Sequence, residues 1–212
     1  MKIITLMNQK GGVGKTTLAL SLAARWHLAG FSVSIVDADP QRSVVFWKEQ
    51  QSKDSRLAGI DVYAVKLPTE IRNSRGLKSD FVILDTPGTD QMIVRAAVNV
   101  SDALLIPVQP SALDVHASSA SNQTALASGI ATAYVVNRYV PQTQLGKDVM
   151  ISLQRTQTTV LRKAMGQYQA FPRSMGEGET PTTMFAGSAA ARNVEAIGQA
   201  VDDWLGEQNE KN

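Results

Sequence analysis

The chain has no cysteine and only two histidines, His27 and His116, among its 212 residues. Disulfides, iron–sulfur clusters and thiolate zinc sites are therefore excluded. The two histidines are far apart in the sequence and belong to no metal-ligand motif, so we expect them to be ordinary surface or helix residues. No stretch approaches the roughly twenty apolar residues that a membrane-spanning helix needs.

The net charge of the chain is also small, with a formal total of only +2. Its distribution is more informative, because residues 138–173 contain six basic side chains and one acid, a net +5 that leaves −3 for the rest of the chain. Such asymmetry indicates a basic face for an anionic partner. A solvated helix surface rich in lysine and arginine would give the same pattern.

The apolar residues fall into short segments that alternate with longer segments of helical periodicity. Strands are predicted over residues 2–7, 32–36, 61–65, 81–84, 103–108 and 131–136, and helices over 16–30, 42–51, 89–100, 112–128, 143–168 and 188–205. Continuous apolar strands suit a sheet that is buried on both faces. The pattern therefore predicts a three-layer α/β sandwich with a mostly parallel central sheet, formed as a single domain by residues 1–212.

Further predictions concern the N-terminal segment and the last third of the chain. The apolar run at residues 2–7 leads directly into glycines, so it is predicted to be a strand rather than a signal peptide, and the protein to be cytoplasmic. The helix over 143–168 has a weak polar middle at 154–159, and the polar tail 206–212 is expected to fray.

A glycine-rich loop lies between the first predicted strand and the first predicted helix. Its sequence, QKGGVGKTT, lets backbone N–H groups converge on phosphate oxygens at a helix N-terminus. Lys15 is expected to reach the β- and γ-phosphates, and the Thr16 hydroxyl to bind Mg²⁺. The predicted nucleotide ligands are Gly11, Gly12, Val13, Gly14, Lys15, Thr16 and Thr17.

Two acidic segments follow predicted strands and complete a P-loop NTPase pattern. The first, VDADPQ, contains Asp37 and Asp39, and the second, VILDTPG, contains Asp85 and ends in Gly88. Asp85 is expected to hold Mg²⁺ through a water molecule. The turn at Gly88 is suited to sensing the γ-phosphate.

The loop departs from the ordinary Walker A pattern in a specific way. Gln9 stands where that pattern has its first glycine, and a second lysine, Lys10, begins the string KGGVGKT. Together with VDADPQ, VILDTPG, IPVQPSALDV at 106–115 and VVNR at 135–138, this deviant Walker A loop resembles the ParA family of partition ATPases, within the ParA/MinD group. The resemblance covers nearly the whole chain.

The resemblance implies roles for individual residues. In that family the lysine equivalent to Lys10 crosses an ATP-sandwich homodimer to the other subunit's nucleotide, where added positive charge assists phosphoryl transfer. Asp39 is expected to position the hydrolytic water, and Asp37 to support Mg²⁺ and the Thr16 hydroxyl. Lys10, Lys15 and Asp39 are therefore the predicted catalytic residues. Asn137 is expected to read the adenine edge, and the segment Pro107–Ser111, with Pro107 and Pro110 as its named contacts, to pack against the base or ribose.

The resemblance also implies a function, namely ATP-dependent positioning of plasmid DNA or another cargo over the nucleoid. ATP would close the dimer, the dimer would bind DNA non-specifically, and hydrolysis stimulated by a cargo-bound, ParB-like adaptor would release it. Because the chain begins at its first strand, we expect it to be the small form without an N-terminal helix-turn-helix. The candidate DNA contacts are Arg155, Arg162, Lys163, Arg173 and Arg192.

Four other functions are compatible with the same kind of fold. A membrane-surface switch like MinD would need a basic amphipathic C-terminal helix, whereas residues 202–207 are acidic, so no membrane partner is expected. A ligase of the dethiobiotin synthetase type would match DADPQ and LDTPG less well. A nucleotide-bound scaffold would show no turnover. Nitrogenase-reductase-like relatives need cysteines.

Overall fold

The computed structural model describes residues 1–141 and 143–210. Its strands follow the apolar segments of the sequence closely. They are β1 Lys2–Leu6, β2 Val33–Asp37, β3 Asp61–Ala64, β4 Phe81–Asp85, β5 Ala103–Val108, β6 Thr132–Val136 and β7 Thr159–Val160. All of these strands pair in parallel, in the spatial order β3-β2-β4-β1-β5-β6-β7.

Helices occupy most of the connections between strands. They are α1 Lys15–Leu28, α2 Ser43–Glu49, α3 Pro68–Arg72, α4 Gln91–Val100, α5 Ala112–Ser128, α6 Gln144–Gln154, α7 Ala170–Gly176, α8 Pro181–Met184 and α9 Ala189–Asn209, with a 3-10 turn at Asn73–Gly76. No helix in the described ranges is both long and apolar enough to cross a membrane.

The sheet forms the middle layer because its alternate residues are buried on opposite faces. On β1, Ile4 and Leu6 pack into a core with α1, α2 and α9, whereas Ile3 packs into a second core with α3 and α4. A third core joins β5 and β6 to α5 and α6. This arrangement confirms the predicted three-layer α/β sandwich, with a sheet that is wholly parallel.

The strand order brings the predicted nucleotide residues to one edge of the sheet. Strand β1 lies between β4 and β5. Strands β2 to β4 are on one side of β1 and β5 to β7 are on the other, so the strand order reverses at β1. Asp85 at the end of β4 is in register with Leu6 of β1 and with Asp37 of β2. Ligands of open parallel sheets bind where the strand order reverses, outside the carboxyl ends of the strands.

The last third of the chain differs from the sequence expectations. The predicted helix over 143–168 is wrong beyond residue 154, since α6 ends at Gln154 and β7 follows at Thr159. The hydrogen bonds of this segment go to β6, as the N–H of Leu161 donates to the Tyr134 carbonyl over 2.9 Å. Helix α9 continues to Asn209, so the fraying predicted from residue 206 does not begin there. Residues 211 and 212 lie outside the described ranges.

Candidate functional site

The glycine-rich loop leads from β1 into α1, and two of its glycines adopt backbone conformations that other residues rarely adopt. Gly12 has φ of 73° and Gly14 has φ of 98°. A Cβ atom on Gly14 would lie 1.9 Å from Nδ2 of Asn137, so glycine is also needed there for space. The sequence therefore folds this loop tightly against the end of β6.

Side chains from neighbouring strands orient the peptide groups of the loop. Gln109 donates to the carbonyl of Gly12 over 2.6 Å, and Asn137 donates to the carbonyl of Val13 over 2.7 Å. The C=O and N–H of a trans peptide point in opposite directions. The N–H groups of Val13 and Gly14 are therefore turned away from Gln109 and Asn137, as a phosphate-binding loop requires.

Asn8 was not expected from the sequence, yet it organises the start of the loop. Its Nδ2 donates to the Pro107 carbonyl over 2.9 Å, and its Oδ1 accepts from the N–H of Lys10 over 2.9 Å. Its own carbonyl accepts from Nζ of Lys15 over 3.1 Å. The contacts with Lys10 and Lys15 are local, but the contact with Pro107 joins residues 99 positions apart, which no local pattern could reveal.

Lys15 is a buried cation whose only hydrogen-bond acceptors in the described chain are backbone carbonyls. Its side chain donates to Asn8 and to Lys10, the latter over 3.4 Å. Desolvation lowers the pKa of Lys15 below its usual value, while the charges of Asp85 and Asp39 act in the opposite direction. A buried ammonium without an ion pair is costly, so this geometry suits a lysine that receives an anion.

Asp85 shows the complementary deficit. Its Oδ2 accepts from the Thr16 hydroxyl over 2.6 Å, but its Oδ1 is buried and has no hydrogen-bond partner among the described residues. Burial, together with the negative charge of Asp37, raises the pKa of Asp85 to about 7. Thr16 and Asp85 therefore fit a Mg²⁺ ion, which binds through one or two carboxylates plus water and phosphate oxygens.

No cluster of three or more histidine or acidic side chains that could hold a metal ion alone occurs in residues 1–141 and 143–210.

The Asp37 carboxylate accepts hydrogen bonds from the backbone and does not contact the Thr16 hydroxyl as predicted. Its Oδ2 accepts from the N–H groups of Val44 and Val45, so it caps α2. The Thr16 hydroxyl bonds to Asp85 and not to Asp37, which corrects that contact, and a part for Asp37 around Mg²⁺ stays a prediction.

Two further predicted elements lie at the same edge. Asp39 is half-buried, accepts from the N–H of Gln41 over 2.9 Å and is close enough to act on the pKa of Lys15. A Cβ atom on Gly88 would lie 2.6 Å from the carbonyl oxygen of Gln9. The turn after β4 is therefore packed directly against the backbone of the glycine-rich loop.

The pKa of Asp85 gives a testable prediction for Asp85→Asn. A raised folded pKa means that this carboxyl contributes stability fully below its unfolded pKa of 3.8 and loses that contribution as the pH rises through about 7. At pH 8 and without Mg²⁺, Asp85→Asn should stabilise the fold by at most about 4 kcal/mol, because one pKa unit corresponds to about 1.4 kcal/mol. We expect a melting temperature several degrees above wild type at pH 8.

Differential scanning fluorimetry across pH 5–8, without nucleotide, measures this effect. The difference between Asp85→Asn and wild type should shrink as the pH falls, because the wild-type carboxyl then becomes neutral. Added MgATP should stabilise wild type more than the variant. A pH-independent difference would contradict the assignment of Asp85 as the buried, titrating carboxyl.

Lys10 makes a contact within its own chain. Its Nζ lies 2.8 Å from Oδ1 of Asp114, an ion pair without hydrogen-bond geometry. The Asp114 side chain is buried in the first turn of α5, where the helix dipole favours an anion. Asp114 was not expected from the sequence, and the action of Lys10 on a second subunit stays a prediction.

A cavity of about 570 Å³ adjoins the glycine-rich loop. That volume is in the range of small-ligand sites. Pro107 and Pro110 do not line the cavity, so contacts of these prolines with a base stay predictions, as does adenine reading by Asn137. The lining residues are Gly14, Thr17, Asn137, Arg138, Val140, Gly166, Gln167, Tyr168, Gln169, Phe171, Pro172 and Met175.

The predicted DNA contacts are exposed and spread over the last third of the chain. None of Arg155, Arg162, Lys163, Arg173 and Arg192 forms an ion pair with a described residue. Arg173 lies over the Phe185 ring at 5.4 Å, and Arg192 donates to the Gly187 carbonyl. Arg162 and Lys163 line a groove of about 370 Å³ together with Asp203 and Glu207, which would weaken their attraction for phosphate.

Sequence comparison identifies a family and several relatives. The profile of the CobQ/CobB/MinD/ParA nucleotide binding domain matches residues 4–182. The Maintenance of carboxysome distribution protein A of Gloeobacter kilaueensis is 31% identical over 176 residues, covering 82% of this chain and 77% of the relative. The protein of the same name from Halothiobacillus neapolitanus is 27% identical over 203 residues, covering 92% and 93%.

Solved structures support the same fold. MinD of Pyrococcus horikoshii in complex with Mg-ADP has a TM-score of 0.78 at 17% identity, covering 95% of this chain and 96% of that one. A McdA variant of Cyanothece in complex with ATP has a TM-score of 0.74 at 17% identity, with the same coverage of 95% and 96%.

Proposed function

Because the chain belongs to the CobQ/CobB/MinD/ParA nucleotide-binding family, we propose that it is a MgATP-dependent positioning ATPase. In this proposal ATP closes a homodimer, the dimer binds DNA without sequence specificity, and hydrolysis releases it. The protein thereby moves a cargo, plasmid DNA or a protein body, over the nucleoid.

One observation carries the nucleotide part of the proposal. Two groups at the glycine-rich loop lack partners in the described chain: the buried ammonium of Lys15, which has no ion pair, and the buried Oδ1 of Asp85, which has no hydrogen bond. In the same loop the N–H groups of Val13 and Gly14 face away from Gln109 and Asn137. Each deficit is removed by one part of MgATP, the phosphates for Lys15 and the cation for Asp85. Bound Mg²⁺ would supply charge neutralisation at the β- and γ-phosphates.

The remaining roles belong to the chain's own side chains. Lys15 binds the β- and γ-phosphates, Thr16 and Asp85 orient the metal shell, and Asp39 holds the attacking water. Loss of the γ-phosphate changes the turn at Gly88, which touches Gln9. Movement at Gln9 then reaches Lys10, its neighbour, and the pair that Lys10 makes with Asp114.

The same pair bears on dimerisation. For Lys10 to act in a second subunit, it must leave Asp114. A buried carboxylate that loses the one cation paired with it among the described residues is strongly disfavoured. ATP and the second subunit must therefore provide the compensating interactions. Intrinsic turnover should be slow, and an adaptor that favours the released state of Lys10 would raise it.

The DNA part of the proposal is supported by the basic residues between 138 and 173. All six are exposed, and none forms an ion pair with a described carboxylate. Phosphate neutralisation by such cations releases counterions and provides affinity without sequence reading. A dimer doubles the number of cations that one DNA segment can contact.

The membrane-surface alternative is less favoured, because α9 has no apolar face to offer to lipid. Val201, Trp204 and Leu205 are buried against the rest of the protein, and the outer side of the helix carries acids. Acidic side chains are repelled by anionic lipid headgroups. For the cargo, the carboxysome-distribution relatives make a protein body as reasonable a choice as a plasmid.

Charge reversal tests the DNA surface. We expect Arg155→Glu with Arg173→Glu to weaken DNA retention in the ATP state. The magnitude of the slope of log affinity against log salt should fall by about two for each subunit that contacts the DNA, and so by about four for the dimer. Arg162→Glu with Lys163→Glu should lower the slope less, because Asp203 and Glu207 face that pair across the groove.

Binding of a short duplex across 50–300 mM salt, measured by fluorescence anisotropy, provides the readout. Lys53→Glu with Arg56→Glu makes the same change in charge at exposed positions outside the basic window. Slopes that match this control for both test pairs would remove the basic window from the proposal.

A further inference from the structure

The segment between β7 and α7 forms one wall of the cavity beside the glycine-rich loop. The side chain of Asn193, from α9, forms hydrogen bonds with the backbone of this segment. Oδ1 of Asn193 accepts from the N–H of Gly166 over 2.8 Å, and its Nδ2 donates to the carbonyl of Ala164 over 3.0 Å. Both ends of the amide are therefore used, and they hold the backbone on either side of Met165.

The same segment is bound on its other side to the residues that follow β6. The N–H of Tyr139 donates to the Met165 carbonyl over 2.8 Å, and the N–H of Gln167 donates to the Tyr139 carbonyl over 3.3 Å. Gly166 pairs with Tyr139 as a parallel bridge. The wall is thus fixed between the extension of β6 and the Asn193 amide, with no other α9 side chain hydrogen-bonded to it in the described residues.

Gly166 transmits this position to the aromatic part of the cavity. A Cβ atom on Gly166 would lie 2.5 Å from the ring of Tyr168, so that ring rests directly on the glycine. The Tyr168 and Phe171 rings are 6.2 Å apart, and both residues line the cavity. Asn193 itself is not part of the lining.

We propose that Asn193 is a positioning residue for the nucleotide base. It places Gly166, and through Gly166 the Tyr168 ring, without touching the nucleotide. The inference rests on the proposed nucleotide site, but it concerns only the base and not the phosphates. Asn193 therefore contributes to the preference for a nucleotide over a bare polyphosphate.

The test compares three ligands in the presence of Mg²⁺, namely ATP, GTP and inorganic tripolyphosphate, by isothermal titration calorimetry. For Asn193→Ala we expect the affinity for ATP to fall about tenfold, the size of effect that one or two lost hydrogen bonds produce. The affinity for tripolyphosphate should stay at the wild-type value, since the glycine-rich loop is unchanged. Any affinity that wild type has for GTP should fall in the same proportion, since an aromatic ring such as that of Tyr168 does not distinguish one purine base from another.

Two further variants keep the test independent of folding defects. Gly166→Ala displaces the Tyr168 ring from the other side and should give the same selective loss. Gln199→Ala removes a hydrogen-bonding side chain from the same helix, where it contacts Arg25 and Asp203 and not the cavity. It should match wild type for all three ligands.

The outcomes separate the two proposals. If wild type prefers ATP to tripolyphosphate and Asn193→Ala keeps the full preference, or loses affinity for both ligands equally, the role of Asn193 is wrong and the nucleotide site stands. If wild type binds tripolyphosphate as tightly as ATP, the base cavity is wrong and the role of Asn193 falls with it.

Discussion

Replacing Lys15 by alanine should weaken MgATP binding by at least about a hundredfold, because it removes charge-assisted hydrogen bonds to two phosphates. The buried ammonium donates only to backbone carbonyls and forms no salt bridge in the described chain, so its removal breaks no ion pair. Asp85 does lose a nearby positive charge that lowers its pKa, but its raised pKa lets it take up a proton instead. The variant is therefore expected to fold. Its defect should lie in ligand binding and not in stability.

Lys48→Ala is a matched control for this change. The Lys48 ammonium also donates to two backbone carbonyls, those of Ala58 and Ile60, and desolvation also lowers its pKa. It lies away from the glycine-rich loop. Calorimetric titration with MgATP should show wild-type affinity for Lys48→Ala and no binding for Lys15→Ala, and tight binding by Lys15→Ala would contradict the phosphate assignment.

The second large effect is expected for Asp39→Ala. This variant should bind MgATP about as tightly as wild type does, because the carboxylate forms no hydrogen bond with the loop glycines or with Thr16. Its hydrolysis should fall about a hundredfold or more, the contribution typical of a residue that orients or activates the attacking water. The ATP state should then persist, and DNA retention should outlast that of wild type.

Single-turnover hydrolysis measures this step separately from nucleotide exchange. Asp54→Ala removes an exposed acid from the loop after α2 and should leave the rate unchanged. Equal single-turnover rates for Asp39→Ala and wild type would show that Asp39 does not hold the attacking water. Undetectable turnover for wild type and Asp39→Ala alike would instead favour a nucleotide-bound scaffold.

The parts that the sequence predicted are those with local causes. Continuous apolar runs such as Ala103–Val108 form strands that are buried on both faces. The positions of these strands could therefore be predicted without knowing which strands they pair with. The spacing of glycines and lysines around Lys15 is local, so it was enough to predict the phosphate-binding loop. The helix predicted over 143–168 failed because β7 is defined by pairing with β6, which no pattern in residues 154–160 displays.

The site residues that were missed act over long sequence distances. Asn8 bonds to Pro107, Gln109 bonds to Gly12, and Asp114 pairs with Lys10. An asparagine, a glutamine or a first-turn aspartate is common in any chain, so none stands out until the fold brings it to the loop. The Thr16 contact with Asp85 rather than Asp37 likewise depends on strand order, because β4 and not β2 lies next to β1.

The most direct test of the account is a crystal structure of this chain grown with Mg²⁺ and the non-hydrolysable analogue AMPPNP. We expect the β- and γ-phosphates within residues 10–17, the metal beside Thr16 and Asp85, and the base against Tyr168 and Phe171. A nucleotide bound elsewhere, or an empty loop at saturating ligand, would contradict it.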